Sequence, residues 1–280
     1  MRSTGARVAD SRWTSTRPLP LFAVALESSW RSLVGWCVGL SAVLFLYLPL
    51  FPSIGGTAQM QQLISSLPKE LVRTLNYDQI GTGPGYTQST FFGLMGFVLT
   101  TIAVIAWGAA AVGGDEESGQ LELTLAHGVT RTQVVLERFA ALVVRIAVLT
   151  VVVFVVVLAL NGPSRLGLDP VHLAGMCLEF GLLALLTGTV ALTAGAVTGR
   201  RVWGIGAGTA VAVLGYVFNA LGNQSPDLAG LQAYSPYHAV FGPGPLANGA
   251  DGGVLLAFAV AIAILVAVAA AAFTRRDVGR

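Results

Sequence analysis

The sequence predicts an all-α integral membrane protein. It should have six transmembrane helices, an N-terminal amphipathic helix in the membrane interface and a short cytoplasmic helix between spans 2 and 3. Three observations predict this. Of the 280 residues, 54% are hydrophobic and only 11% charged, whereas a soluble domain is about a quarter charged. Apolar stretches recur at residues 32–51, 91–112, 139–160, 171–197, 202–221 and 253–273. Each is near the ~20 residues that carry a helix across ~30 Å of hydrocarbon, and a helix satisfies its own backbone there. The basic residues are also lopsided: with an even number of spans, 13 of the 16 fall on the side holding both termini, leaving Lys69, Arg73 and Arg165 opposite. By the positive-inside rule both termini are cytoplasmic.

Taken in order, residues 1–18 are rich in Arg, Ser and Thr without apolar periodicity, which predicts a disordered cytoplasmic tail. Residues 19–280 form one membrane domain. No cleaved signal peptide is expected, because the first apolar run has full span length and no small-residue cleavage site follows it. In residues 19–31, Leu21, Phe22, Ala25, Leu26 and Trp30 fall near one helical face, with Glu27 and Arg31 four apart on the other. Such a helix lies in the interface or simply extends the first span. The first outer loop repeats Met60, Leu63, Ile64, Leu67, Leu71, Val72 and Leu75 at helical spacing around Pro68, which predicts two short amphipathic helices.

Between spans 2 and 3, Asp115, Glu116 and Glu117 precede Leu121 and Leu125, one turn apart. Acidic residues suit a helix N-terminus, and Gly128 suits a C-terminal cap. Thr130 and Gln133 fit a capping box, with Val129 and Val134 as its hydrophobic staple. The segment reads as helix, glycine stop and a new helix that becomes span 3. Later links are short, notably Gly199, Arg200 and Arg201, so neighbouring spans pack antiparallel. The last outer loop carries Ser235-Pro236 and GPGP at 242–245, a turn-rich return to span 6 with room for a partly buried segment.

Several chemistries are excluded. No Gly-Lys pair exists, so no GxxxxGK[ST] phosphate loop is present and the chain carries no ATPase of that kind. There is no GxSxG elbow, and His127, His172 and His238 show no metal-ligand spacing. Cys37 and Cys177 sit in apolar runs as small packing residues. The arginines follow membrane boundaries, which argues against nucleic-acid binding.

Two polar residues inside spans are candidates for translocation. Glu179 lies in the outer half of span 4, where an unpaired carboxylate is expensive. It reads either as a cavity-lining, proton-sensitive group or as a hydrogen-bonded structural residue. Asn219, near the outer end of span 5, favours a helix–helix hydrogen bond over a ligand contact. Arg145, near the inner end of span 3, is expected to snorkel to the interface. Gly204, Gly206, Gly208 and Gly215 should let span 5 approach its neighbours closely.

Composition alone reads the central segment as a solvated loop with an acidic face. Its residues 116–131, EESGQLELTLAHGVTR, however, resemble the signature of ABC-2-type transporter permeases, roughly E-E-x-G-T-L-E-x-L-L-x-x-P-V-x-R. Glu116, Glu117, Gly119, Leu121, Glu122, Leu125, Val129 and Arg131 match it; Gln120 stands for the usual Thr and Gly128 for the usual Pro. The six-span plan, the long first and last outer loops, the Ser-Pro turn and the basic C-terminus resemble the family too. The resemblance implies a coupling helix that docks on a separate ABC ATPase through Glu116, Glu117, Gly119, Leu121, Glu122, Leu125, His127 and Arg131. It implies two ATPase copies, which bind ATP and Mg, and a second permease subunit, either an identical chain or a paralogue. No cofactor is expected in this chain. The expected role is outward transport of a hydrophobic substrate (drug, antibiotic or lipid) across a bacterial plasma membrane. The alternatives are a proton-coupled carrier using Glu179 and a non-transporting scaffold or immunity subunit.

Overall fold

The computed structural model describes residues 20–54, 66, 80–126 and 128–276. The tail at 1–18, Lys69, Arg73 and His127 lie outside the described residues, as does the helix pair expected around 60–75 apart from Ser66. Among the described residues every regular element is helical, and six helices are long and apolar enough to cross a membrane. They contain the six expected spans and overrun most of their ends.

Helix α1, Pro20–Tyr47, runs without a break through Arg31 and continues as a tight turn, Leu48–Leu50, and a last turn, Phe51–Ile54. The segment expected in the interface is thus one rod with the first span. Ala25 is buried and Leu21 packs on the core, but Trp30, expected on the same face, is 55% exposed.

Helix α2 covers Gly83–Glu117. The Thr82 hydroxyl caps it by accepting from the Gly85 amide at 3.1 Å. Two stretches of it, Gln88–Gly96 and Ala110–Gly114, are wound as π-helix, the wider winding that recurs at functional sites. After it come the short α3, Gln120–Ala126, and the long α4, Arg131–Asn161. Gly119 and Gly128, on either side of α3, both have positive φ; Gly128 is the stop that the sequence predicted. Thr130 caps α4 at the Gln133 amide, 3.2 Å. The Gln133 side-chain amide nitrogen donates to Glu137 at 2.6 Å.

Helix α5, Pro170–Thr198, is the most enclosed of the six and packs against α2, α4, α6 (Arg201–Gln224) and α9 (Gly252–Arg275). Small residues make this possible. A Cβ on Gly108 would lie 2.2 Å from the Gly188 carbonyl oxygen, and one on Gly204 would lie 2.7 Å from that of Ala191. Helices α2, α5 and α6 therefore touch backbone to backbone. Gly206 faces open space, so the close approach expected of four glycines does not include it. Helix α1 lies outside the group, against α4.

Between α6 and α9 the chain forms a 3-10 segment, Pro226–Tyr234, then short helices α7, Pro236–Phe241, and α8, Pro245–Asn248. Tyr237, Val240, Phe241 and Leu246 are buried, so this return segment plugs the bundle, as the Ser-Pro and GPGP turns anticipated.

Candidate functional site

The arginine-rich end of the bundle gathers the signature residues. Three consecutive carboxylates finish α2, and each meets a different helix. Asp115 pairs with Arg138 of α4, and Glu116 pairs with Arg276, just past the end of α9. Glu117 accepts from the Arg201 backbone N–H at 3.0 Å. That amide belongs to the first turn of α6, whose own Arg200 supplies no side-chain cap, so Glu117 caps it from outside. Arg131, the last signature residue, donates to the carbonyls of Phe273 (3.2 Å) and Arg276 and lies over the Phe273 ring at 5.9 Å. The start of α4 thereby holds the end of α9.

The signature positions divide by exposure. Leu121 is 1% exposed and belongs to the core, and Leu125 is partly buried against it. The apolar anchor of α3 is therefore the chain's own bundle. Gly119, Gln120 and Glu122 are exposed.

A second cluster secures α1. Glu137, 2% exposed, accepts from the Phe22 N–H at 2.9 Å, one of the orphan amides at the start of α1. Arg145 does not snorkel. It is 8% exposed, donates to the Ala25 carbonyl at 2.6 Å and lies 5.7 Å from the Trp107 ring. A carbonyl and an aromatic face meet the cation inside the bundle, with the Asp115 carboxylate nearby, while its buried Nε has no hydrogen-bond partner among the described residues. Trp107 in turn donates to the Ser32 hydroxyl at 3.2 Å. Sequence reasoning missed Glu137, Arg138 and Arg276 as partners. Part of the signal was present: Arg131, Arg138 and Arg145 recur at every seventh position and so share one face of α4.

The translocation candidates sit at the opposite end, and each is tied within the chain. Glu179, 2% exposed, accepts from the Asp251 N–H at 2.6 Å, where α9 begins. The Asn219 side-chain oxygen meets the His238 ring at 2.8 Å, joining α6 to α7. Ser235 caps α7 at the His238 amide, 2.8 Å, and donates to the Gly215 carbonyl at 2.6 Å. The Tyr237 hydroxyl donates to the Gly93 carbonyl at 2.7 Å, inside the first π-wound stretch, and Gln88 reaches the Phe241 carbonyl at 3.0 Å. A Cβ on Gly93 would lie 2.8 Å from that hydroxyl, so a larger residue there would displace the Tyr237 side chain. Burial holds His238 below the usual imidazole range and pushes the Tyr237 hydroxyl up.

Two apolar grooves open between helices. One of about 370 Å³ lies between α2 and α6, with Thr101, Thr209 and Tyr216 among its walls. The other, about 560 Å³, lies among α4, α5 and α9. Neither is lined by Glu179 or Asn219. No cluster of metal-ligating side chains occurs among the described residues.

No curated protein and no solved structure matches the chain. A family model described as ABC-2 family transporter protein matches residues 21–278. The match takes in all six membrane-length helices and the acidic turn with its arginines, and the chain belongs to the ABC-2 transporter family.

Proposed function

We propose that this permease subunit works in an ATP-driven exporter, with α3 as the helix through which a separate ABC ATPase moves it. The observation that carries the reading is the placement of α3. It stands at the arginine-rich end, fixed to the bundle by Leu121 and presenting Glu122 outward. Membership in the family implies an ABC ATPase partner, and the absence of any Gly-Lys pair fits a division of labour in which ATP and Mg bind there. The arginine count supports a cytoplasmic location for this end and both termini, in this reading at a bacterial plasma membrane.

Two permease subunits, identical or paralogous, would enclose the pathway, and two ATPases would drive it. The groove between α2 and α6 is the best-suited wall for a hydrophobic drug, antibiotic or lipid. It is almost wholly apolar, with two threonines and a tyrosine to orient a polar group. Glu179 and Asn219 hold helices in place rather than meet substrate in this reading. The exposed Glu122 would face a basic patch on the ATPase.

The test is ATP hydrolysis by the purified permease–ATPase complex. Glu122→Lys should weaken ATPase retention and permease-stimulated hydrolysis together. Wild-type retention and stimulation in that variant would count against docking through α3.

A further inference from the structure

We infer that Asp115, Glu116 and Glu117 are positioning residues of an internal clasp, which distributes a push on α3 to α4, α6 and α9 at once. The inference rests on the reading of α3 as the coupling helix but assigns these carboxylates to the bundle, not to the ATPase surface. Geometry separates the two roles. The Asp115 and Glu116 side chains are only 18% and 14% exposed, and each is paired with an arginine from another helix. A docking patch needs free carboxylates, and these are engaged. The exposed Glu117 has one oxygen on the Arg201 amide.

The three contacts fall where they can steer helices. Arg138 lies in the second turn of α4, Arg201 opens α6 and Arg276 follows α9. A fourth helix is drawn in at Gly199, which ends α5 with φ 72°; a Cβ there would lie 2.7 Å from the Glu116 carboxylate. The Glu116–Arg276 bridge therefore occupies the space over the end of α5. Arg131 closes the circle by holding the carbonyls of Phe273 and Arg276. By contrast, α3 joins α2 and α4 covalently through turns containing the positive-φ glycines Gly119 and Gly128. Such turns transmit force less directly than a charge-paired contact at a helix end. The clasp gives α6 and α9, which are distant in sequence, a direct connection to the acidic turn.

The experiment uses the full chain with Cys37 and Cys177 replaced by alanine and a single reporter, Leu256→Cys, on the exposed face of α9 near its far end. The complex is purified with its ATPase, and maleimide labelling of the reporter is timed with and without ATP plus vanadate. With the clasp intact, the labelling rate should change with nucleotide. Glu116→Arg should lose that change while the ATPase still co-purifies in wild-type amount, and adding Arg276→Glu should restore it. Glu116→Gln, which keeps the shape and removes the charge, should lose it too. Three results would overturn the clasp: loss of the ATPase from the Glu116 variants, which would make Glu116 a docking contact; an unaltered nucleotide-dependent change in them; or no change at Leu256→Cys with the clasp intact. If no ATPase co-purifies with the unaltered chain, the coupling reading itself falls.

Discussion

Glu179 shows how much a single carboxylate can mean in a membrane helix. Its sequence position fits a proton carrier as well as a structural strut, and the structure gives it the Asp251 amide at the start of α9. Hydrogen bonds to charged groups contribute about 1.5–3 kcal/mol, and an orphaned buried donor costs about 1–3 kcal/mol. Glu179→Gln keeps an acceptor, so it should retain ATP hydrolysis stimulated by the permease. Glu179→Ala should lower the thermal unfolding midpoint in detergent by more than Glu179→Gln does. Equal abolition of activity by both, with folding intact, would favour the carrier. His238 makes a prediction about pH. Burial depresses its folded-state pKa from the usual 6.5, so the folded chain binds fewer protons there than the unfolded one. Its contribution is complete above the unfolded pKa and is lost as pH falls through the folded value. The unfolding midpoint of the wild type should fall on acidification across that window, and His238→Gln should flatten the slope. An unchanged slope would contradict the burial of a neutral His238 as the source of the acid sensitivity. Neither partner could be read from the sequence, because Asn219 and His238 are separated by a loop whose course depends on packing.

Glutamates capping the helices of others are a recurring device in this chain. Glu137 takes the Phe22 amide of α1, Glu117 the Arg201 amide of α6 and Glu179 the Asp251 amide of α9. Helix starts leave unpaired N–H groups; the buried Glu137 and Glu179 fill that role where water is scarce, and Glu117 does so at the exposed start of α6. Local caps were legible: Thr130 on Gln133 follows from a short pattern, as does the glycine stop at Gly128. The spans were legible because hydropathy over some twenty residues is a local property. The caps from other helices were not, since Arg276 and Glu116 lie 160 positions apart and Arg201 and Glu117 lie 84 apart. The π-wound stretches of α2 and the burial of Leu121 depend equally on neighbours. Helix contacts supply a graded test. Gly108→Ala would place its Cβ 2.2 Å from the Gly188 oxygen, while Gly206→Ala meets nothing within 4 Å. The first should cost about 1–3 kcal/mol by overpacking, whereas the second should be neutral or gain up to about 1 kcal/mol from helix propensity. The comparison is made from unfolding midpoints of the two variants in one detergent. A neutral Gly108→Ala would contradict the backbone contact between α2 and α5.

The bundle is organised from its two ends. At one, arginines and the acidic turn bind α2, α4, α6 and α9 together; at the other, α7 lodges against α2 and α6 through Tyr237, Gln88 and Asn219. Between them the helices meet largely through glycine and apolar side chains, with the Thr193 hydroxyl donating to the Leu265 carbonyl and Trp107 to Ser32, each at 3.2 Å. This arrangement suits a subunit that is moved from one end, and the sequence holds no phosphate loop with which to move itself. The central claim is therefore that the force comes from another protein. Affinity purification of the tagged full chain from its native membrane, with mass spectrometry of what accompanies it, tests that claim most directly. The account predicts a stoichiometric ATPase carrying a phosphate loop. Absence of such an ATPase, in a detergent that preserves a known ABC complex, would contradict it.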